Sequence, residues 1–131
     1  MSPWVDVLAT YDEGNHQDPL LSAAWIHQLQ DGYMPKALRG PAFVSAAQAP
    51  MSGMPPTLLQ FVSDELLAPE VRGLGNKMRS AGVPVTVDEA PGLWHDYQLH
   101  AGLVPEATRA IERIAAFVMG LNRANTMSPG A

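Results

Sequence analysis

The sequence predicts an α/β protein, a parallel sheet covered by helices, and three observations carry that reading. Thr57–Val62 (Thr-Leu-Leu-Gln-Phe-Val) is a mostly apolar run of strand length, as expected where a sheet is covered on both faces. From Leu67 to Ala81 the apolar residues fall at helical spacing, and Gly82 closes the pattern. A β-branched segment, Val83 to Val87, comes next, and a second long helical pattern opens at Pro105. Strand, helix, strand, turn and helix in this order is the signature of a parallel sheet with crossover helices.

Taken in order, Trp4-Val5-Asp6-Val7-Leu8 reads as a short first strand of the same sheet. Residues 10–18 are polar and loop-like. Asp18-Pro19 then has the form of a helix start, an N-cap followed by proline at the first helical position. Leu20, Leu21, Ala24, Trp25, Ile26 and Leu29 supply the apolar stripe of that helix, which should end before Asp31-Gly32. From Tyr33 to Pro56 the prolines at 35, 41, 50, 55 and 56 leave room for one short helical turn at most. Residues 9–56 thus form a large excursion from the carboxyl end of the first strand, and connections of such length are commonly lids or binding loops.

In the second half, Pro69-Glu70 occupy the first turn of the helix from Leu67, and Val71, Leu74 and Met78 line one of its faces. Pro91-Gly92 imposes a turn after the strand Val83 to Val87. In the helix from Pro105, Ala107, Ala110, Ile111, Ile114, Phe117, Val118 and Leu121 form a wide apolar face, with Glu106, Arg109, Glu112 and Arg113 opposite. Residues 1–121 are read as one domain, and residues 122–131 as a flexible tail.

Composition excludes several functions. The 131 residues are 47% hydrophobic and 16% charged, the profile of a globular chain rather than a disordered one. A net charge of -5 with no Lys/Arg cluster argues against nucleic acid as a partner. There is no cysteine for a disulfide or a thiolate metal site, and His16, His27, His95 and His100 do not have metal-ligand spacing, so no metal or cofactor is expected. No apolar stretch is long enough to span a membrane and no secretory signal is visible, which makes a cytoplasmic location the default expectation.

The chemistry-bearing residues stand after the two strands. Asp64 and Glu65 follow the first of them, and His95 follows the second, thirty residues after Glu65, behind the turn at Pro91-Gly92. Alone, an acid there is an ordinary helix start and a histidine an ordinary surface residue. Together they lie on one rim of the sheet, where ligands of open α/β sheets bind. There a carboxylate can fix the tautomer of a histidine and stabilise its imidazolium. This is two thirds of a hydrolase triad in the order acid, then base. No Gly-x-Ser-x-Gly elbow accompanies it, and none of the serines at 2, 22, 45, 52, 63, 80 and 128 lies in one.

The ordered series Ser2-Pro3-Trp4-Val5-Asp6-Val7, Asp18-Pro19-Leu20-Leu21-Ser22, Pro55-Pro56-Thr57-Leu58-Leu59-Gln60, Ser63-Asp64-Glu65-Leu66-Leu67, Ala81-Gly82-Val83-Pro84-Val85-Thr86 and Pro91-Gly92-Leu93-Trp94-His95 resembles the carboxyl-terminal part of the hormone-sensitive-lipase-like esterases. The likeness runs from Ser2 to about Val118. It implies a partial α/β-hydrolase fold with about three parallel strands, and hydrolysis of carboxylic esters by a Ser-Asp/Glu-His triad without a cofactor. His95 matches the base. Glu65 fits the family's acid-to-histidine interval, with Asp64 as the alternative acid. Residues 9–56 would contribute part of a cap, with Leu21, Trp25 and Tyr33 as pocket residues or simple helix packing. The family's His-Gly-Gly-Gly oxyanion motif and its serine elbow have no counterpart here, so the isolated chain is expected to be inactive. A small hydrophobic ester is the implied substrate once an amino-terminal half completes the site. Family dimerisation through the last strand and helix would map to Val83 to Val87 and Pro105 to Leu121. A non-catalytic interaction module derived from such a half-fold is the competing expectation.

Overall fold

The structure, a computed structural model, describes residues 3–11, 18–34, 37 and 45–126, apart from the side chains at 124 and 125. Contacts divide the chain into two units, Met1–His95 and Asp96–Ala131. The first unit holds the helix α1 (Ala23–Tyr33), a short 3-10 turn at Ala46–Gln48, the strand β1 (Thr57–Val62), the helix α2 (Ala68–Ser80) and the strand β2 (Val85–Ala90). The second holds a 3-10 turn at Tyr97–His100 and the helix α3 (Pro105–Thr126). No helix among the described residues is long and apolar enough to cross a membrane.

β1 and β2 pair in parallel, from Thr57 opposite Val85 to Val62 opposite Ala90, joined through α2. Leu59 and Phe61 point to one face and pack with Ala68 and Val71 of α2. Gln60 and Val62 alternate to the other and are fully buried. The buried Gln60 amide donates to the Asp88 carboxylate across the strands at 2.7 Å.

α2 is the element most fully specified by local chemistry. Pro69 stands in its first turn with Glu70, while Lys77 and Arg79 occupy the last, matching the helix dipole at both ends. Its carboxyl end is a Schellman motif: the Gly82 N–H bonds Arg79 O at 3.0 Å, the Val83 N–H bonds Met78 O at 3.0 Å, and Gly82 takes φ 80. Val83 and Met78 also share a small apolar cluster with Met51, the hydrophobic contact that accompanies the motif. This explains why the second strand begins at Val85 rather than at Val83. The Val83 N–H is committed to the helix and Pro84 has none to give. The strand then continues past Val87 to Ala90, in register with the end of β1.

The amino-terminal elements depart further from expectation. Trp4 to Leu8 forms no strand, so the parallel sheet has two described strands rather than about three. Its backbone groups are taken by other partners. Asp6 makes a lone antiparallel bridge with Ser45, and Val5 O accepts the Ala47 N–H at 3.0 Å. The Gln30 amide donates to both Val7 O and Ala9 O at 2.9 Å. The first helix starts at Ala23, with Ser22 as its N-cap accepting the Trp25 N–H at 3.1 Å. Asp18 is not its N-cap, because Asp18 Oδ1 is already held by the Leu20 and Leu21 N–H groups in a turn of its own. The helix runs on through Asp31 and Gly32 to Tyr33, and buries Ala23, Ile26 and Gln30, leaving Trp25 and Leu29 exposed. Ile26 and Ala23 join Tyr11, Leu21, Leu66 and Leu67 in one cluster, which seats α1 on the turn after β1.

In the second unit, the Thr108 hydroxyl accepts the Gly102 N–H at 2.8 Å and ties the preceding turn to α3. Of the apolar face expected on this helix, Ala107 and Ala110 are buried, whereas Ile111 and Val118 are exposed. The helix also continues through 122–126, five residues into the expected tail; residues 127–131, like 12–17, 35–36 and 38–44 of the excursion, lie outside the described residues.

Candidate functional site

The carboxyl end of β1 leads into a turn, Ser63 to Leu67, before α2 begins. This turn separates two adjacent acids. Asp64 faces solvent, whereas the Glu65 side chain is fully enclosed, at 0% exposure. The turn is pinned on each side of Glu65. The Ser63 N–H donates to Ala90 O at 2.9 Å, and the Leu66 N–H donates to Asp18 Oδ2 at 3.3 Å. Leu66 and Leu67 are buried in the cluster with α1.

The carboxyl end of β2 leads through Pro91-Gly92, with Gly92 at φ 68, to His95. The His95 Nδ1 lies 3.4 Å from Glu65 Oε2, and 19% of the imidazole side chain remains exposed. The two parallel strands therefore bring residues thirty positions apart into an ion-pair geometry at one rim of the sheet. The separation exceeds the about 2.7–2.9 Å of a tight charge-assisted hydrogen bond. Such bonds are often long before a substrate is bound. A buried carboxylate against Nδ1 holds the proton on that nitrogen and leaves Nε2 to exchange a proton with a reacting group.

The other residues singled out in the sequence fall into two groups. Leu21 is packing, buried in the cluster under α1. Trp25 and Tyr33 are exposed, and the Tyr33 ring is tilted 55° to that of Trp4 with centroids 6.4 Å apart. A cavity of about 400 Å³ opens between residues 7–10 and His27, Gln30 and Asp31 of α1; neither Glu65 nor His95 lines it.

Sequence reasoning missed a partly buried carboxyl in the first unit, that of Glu70. Glu70 Oε2 accepts the Asp6 N–H at 3.0 Å, and Tyr11, whose hydroxyl accepts the Trp4 indole N–H at 3.0 Å, stands beside it. Burial pushes the Glu70 carboxyl up to about 7, against the smaller opposing pull of its hydrogen bonds. Burial, with the Glu70 charge beside it, likewise raises the Tyr11 phenol. It also missed Arg72, which bonds the backbone of the acid turn.

The chain is similar to known proteins over most of its length. The family profile of the alpha/beta hydrolase fold matches residues 1–99. An acetyl-hydrolase of Streptomyces hygroscopicus is 31% identical over 121 residues, which is 90% of this chain and 40% of that protein. An esterase of Acinetobacter venetianus is 32% identical over 130 residues, 93% of this chain and 42% of its own length. Among solved structures, an esterase from the bacterial hormone-sensitive lipase family superposes with a TM-score of 0.80 at 29% identity, covering 89% of this chain and 40% of that one. The chain spans about two fifths of the length of these relatives.

Proposed function

This chain belongs to the α/β-hydrolase fold family, as a hormone-sensitive-lipase-like member, and from that membership we propose that it carries the acid and base of a carboxylic-ester hydrolase: Glu65 and His95. One observation carries the proposal, the enclosed Glu65 carboxylate 3.4 Å from the Nδ1 of a partly exposed histidine. The 131 residues contain no Gly-x-Ser-x-Gly, so the reading assigns the nucleophilic serine and the oxyanion donors to a segment outside them.

In the completed site the serine Oγ attacks the ester carbonyl carbon while its proton passes to His95 Nε2. Glu65 stabilises the imidazolium so formed and keeps the ring oriented. The imidazolium returns the proton to the leaving alkoxide as the ester C–O bond breaks, giving an acyl-serine and an alcohol. A water molecule then repeats the sequence, His95 taking its proton, and releases the carboxylic acid. The substrate class is a small hydrophobic ester. Without the serine the chain by itself turns over no ester and takes no label from a fluorophosphonate probe.

The test is co-expression of this chain with a serine-bearing amino-terminal half from a related esterase, followed by hydrolysis of a short p-nitrophenyl ester. We expect activity that His95→Ala lowers by a factor on the order of 10³ or more. Unchanged hydrolysis by that variant would remove His95 from the reaction.

A second reading has its own support. On α3, Val118 and Met119 are 49% and 56% exposed, and Val87 of β2 is also exposed on a strand with one unpaired edge among the described residues. Apolar helix surface and an open strand edge suit a self-association module, with Val83 to Val87 and Pro105 to Leu121 as the contact segments. A stable stoichiometric oligomer by light scattering, together with no activity in the co-expression test, would favour it.

A further inference from the structure

Arg72, in the middle of α2, touches both rim segments that carry the Glu65–His95 pair. Its Nη2 donates to Ser63 O in the acid turn at 2.8 Å. The Nε and Nη2 of the same guanidinium donate to Glu89 Oε1, the penultimate residue of β2, at 3.2 and 2.5 Å. The guanidinium lies over the Phe61 ring, 5.6 Å from its centroid. Ser63 is in turn joined to β2 a second time, its N–H and its hydroxyl both donating to Ala90 O at 2.9 and 3.3 Å. The acid stands two residues beyond Ser63 and the histidine five residues beyond Ala90. A planar fork can bridge a carboxylate and a carbonyl at once, which an ammonium cannot do in the same geometry.

Arg72 and Glu89 are 43% and 32% exposed, and an ion pair so exposed contributes little to stability. Its meaning lies in what it connects. We propose that Arg72 is a positioning residue: by tying Ser63 to Glu89 it fixes the separation of the two rim segments and thereby holds Glu65 against His95. The catalytic meaning of this role rests on the reading of Glu65 and His95 as acid and base, but the positioning itself can be measured on the 131-residue chain without turnover.

The experiment follows the ring resonances of His95 by NMR as pH is varied, in the unaltered chain and in Glu65→Gln, Arg72→Met and Arg72→Lys. A carboxylate beside the imidazole raises its titration midpoint, so Glu65→Gln lowers that midpoint by about one pH unit. Arg72→Met keeps the aliphatic stem over Phe61 but removes the fork, and lowers the midpoint by roughly half as much or more. The sign separates positioning from plain electrostatics. Loss of a nearby positive charge, acting alone, makes the histidine easier to protonate and raises its midpoint. Arg72→Lys keeps the charge without the fork; it lowers the midpoint by less than Arg72→Met, and it carries the test if that variant unfolds. A midpoint that rises or stays put in the arginine variants, while Glu65→Gln lowers it, overturns the proposal and leaves the acid–base pair standing. A midpoint unmoved by Glu65→Gln overturns the pair and the positioning role together.

Discussion

At the scale of single residues, burial decides between groups that look alike in sequence. Asp64 and Glu65 are adjacent acids that the sequence alone leaves as alternatives; the turn exposes the first and encloses the second beside His95. Motif and spacing made the acid turn and the histidine legible, because both follow recognisable strands. Arg72 and Glu70 were not legible, since their partners Glu89 and Asp6 stand 17 and 64 residues away and no local pattern announces them. Glu70 has a measurable consequence. Its carboxyl is raised by burial from 4.5 to about 7, so between those values the folded chain binds more proton than the unfolded one. Stability should therefore fall as pH rises through this window, and be higher at pH 5 than at pH 8 as far as this group is concerned. Glu70→Gln keeps an acceptor for the Asp6 N–H and removes the titration, so its urea-unfolding midpoint should vary less between pH 5 and 8 than that of the unaltered chain. An identical pH dependence in both would show that Glu70 is not the group responsible.

Among the elements, those governed by local rules were the ones the sequence described best. α2 begins and ends within a residue of expectation because proline, dipole-matched charges and a glycine cap all act within a few positions. The start of α1 was misplaced because Asp18 has two uses for its side chain, a turn with Leu20 and Leu21 and a bond to Leu66, and both compete with capping. The strand β2 shifted because the preceding helix cap holds Val83. Two glycines of α2 give opposite expectations. A Cβ on Gly75 would stand 3.2 Å from Leu59 Cδ1 and 3.9 Å from Val87 Cγ2, so this glycine lets the helix lie close on the sheet. Gly75→Leu should destabilise by about 1–3 kcal/mol through overpacking. Gly73 has nothing within 4 Å of its would-be Cβ, and Gly73→Ala should stabilise by up to about 1 kcal/mol through helix propensity alone. Chemical denaturation of the two variants checks both signs, and a Gly75→Leu chain as stable as the parent would contradict the close approach.

For the molecule as a whole, the class of fold was legible and the number of strands was not. A strand is fixed by its ladder partner, and Trp4 to Leu8 instead gives its backbone groups to Ser45, Ala47, Glu70 and Gln30. Alternating apolar residues record that a segment is half-buried; they do not record what it pairs with. The result is a two-stranded sheet whose strands each keep an unpaired edge among the described residues, and a long helix with apolar side chains at its surface. Single exposed apolar residues are ordinary, but Ile111, Val118 and Met119 occur on one helix. If self-association uses these surfaces, charge placed on them should weaken it. Val118→Lys and Thr86→Lys change exposed positions of α3 and β2, and each should shift sedimentation-velocity profiles toward the monomer at a given concentration, while Glu65→Gln, an enclosed position, should not. Profiles unchanged by both lysine substitutions would separate association from these two segments. They would leave the open edge and helix face as surfaces suited to the remainder of a hydrolase fold, which is what the co-expression experiment supplies.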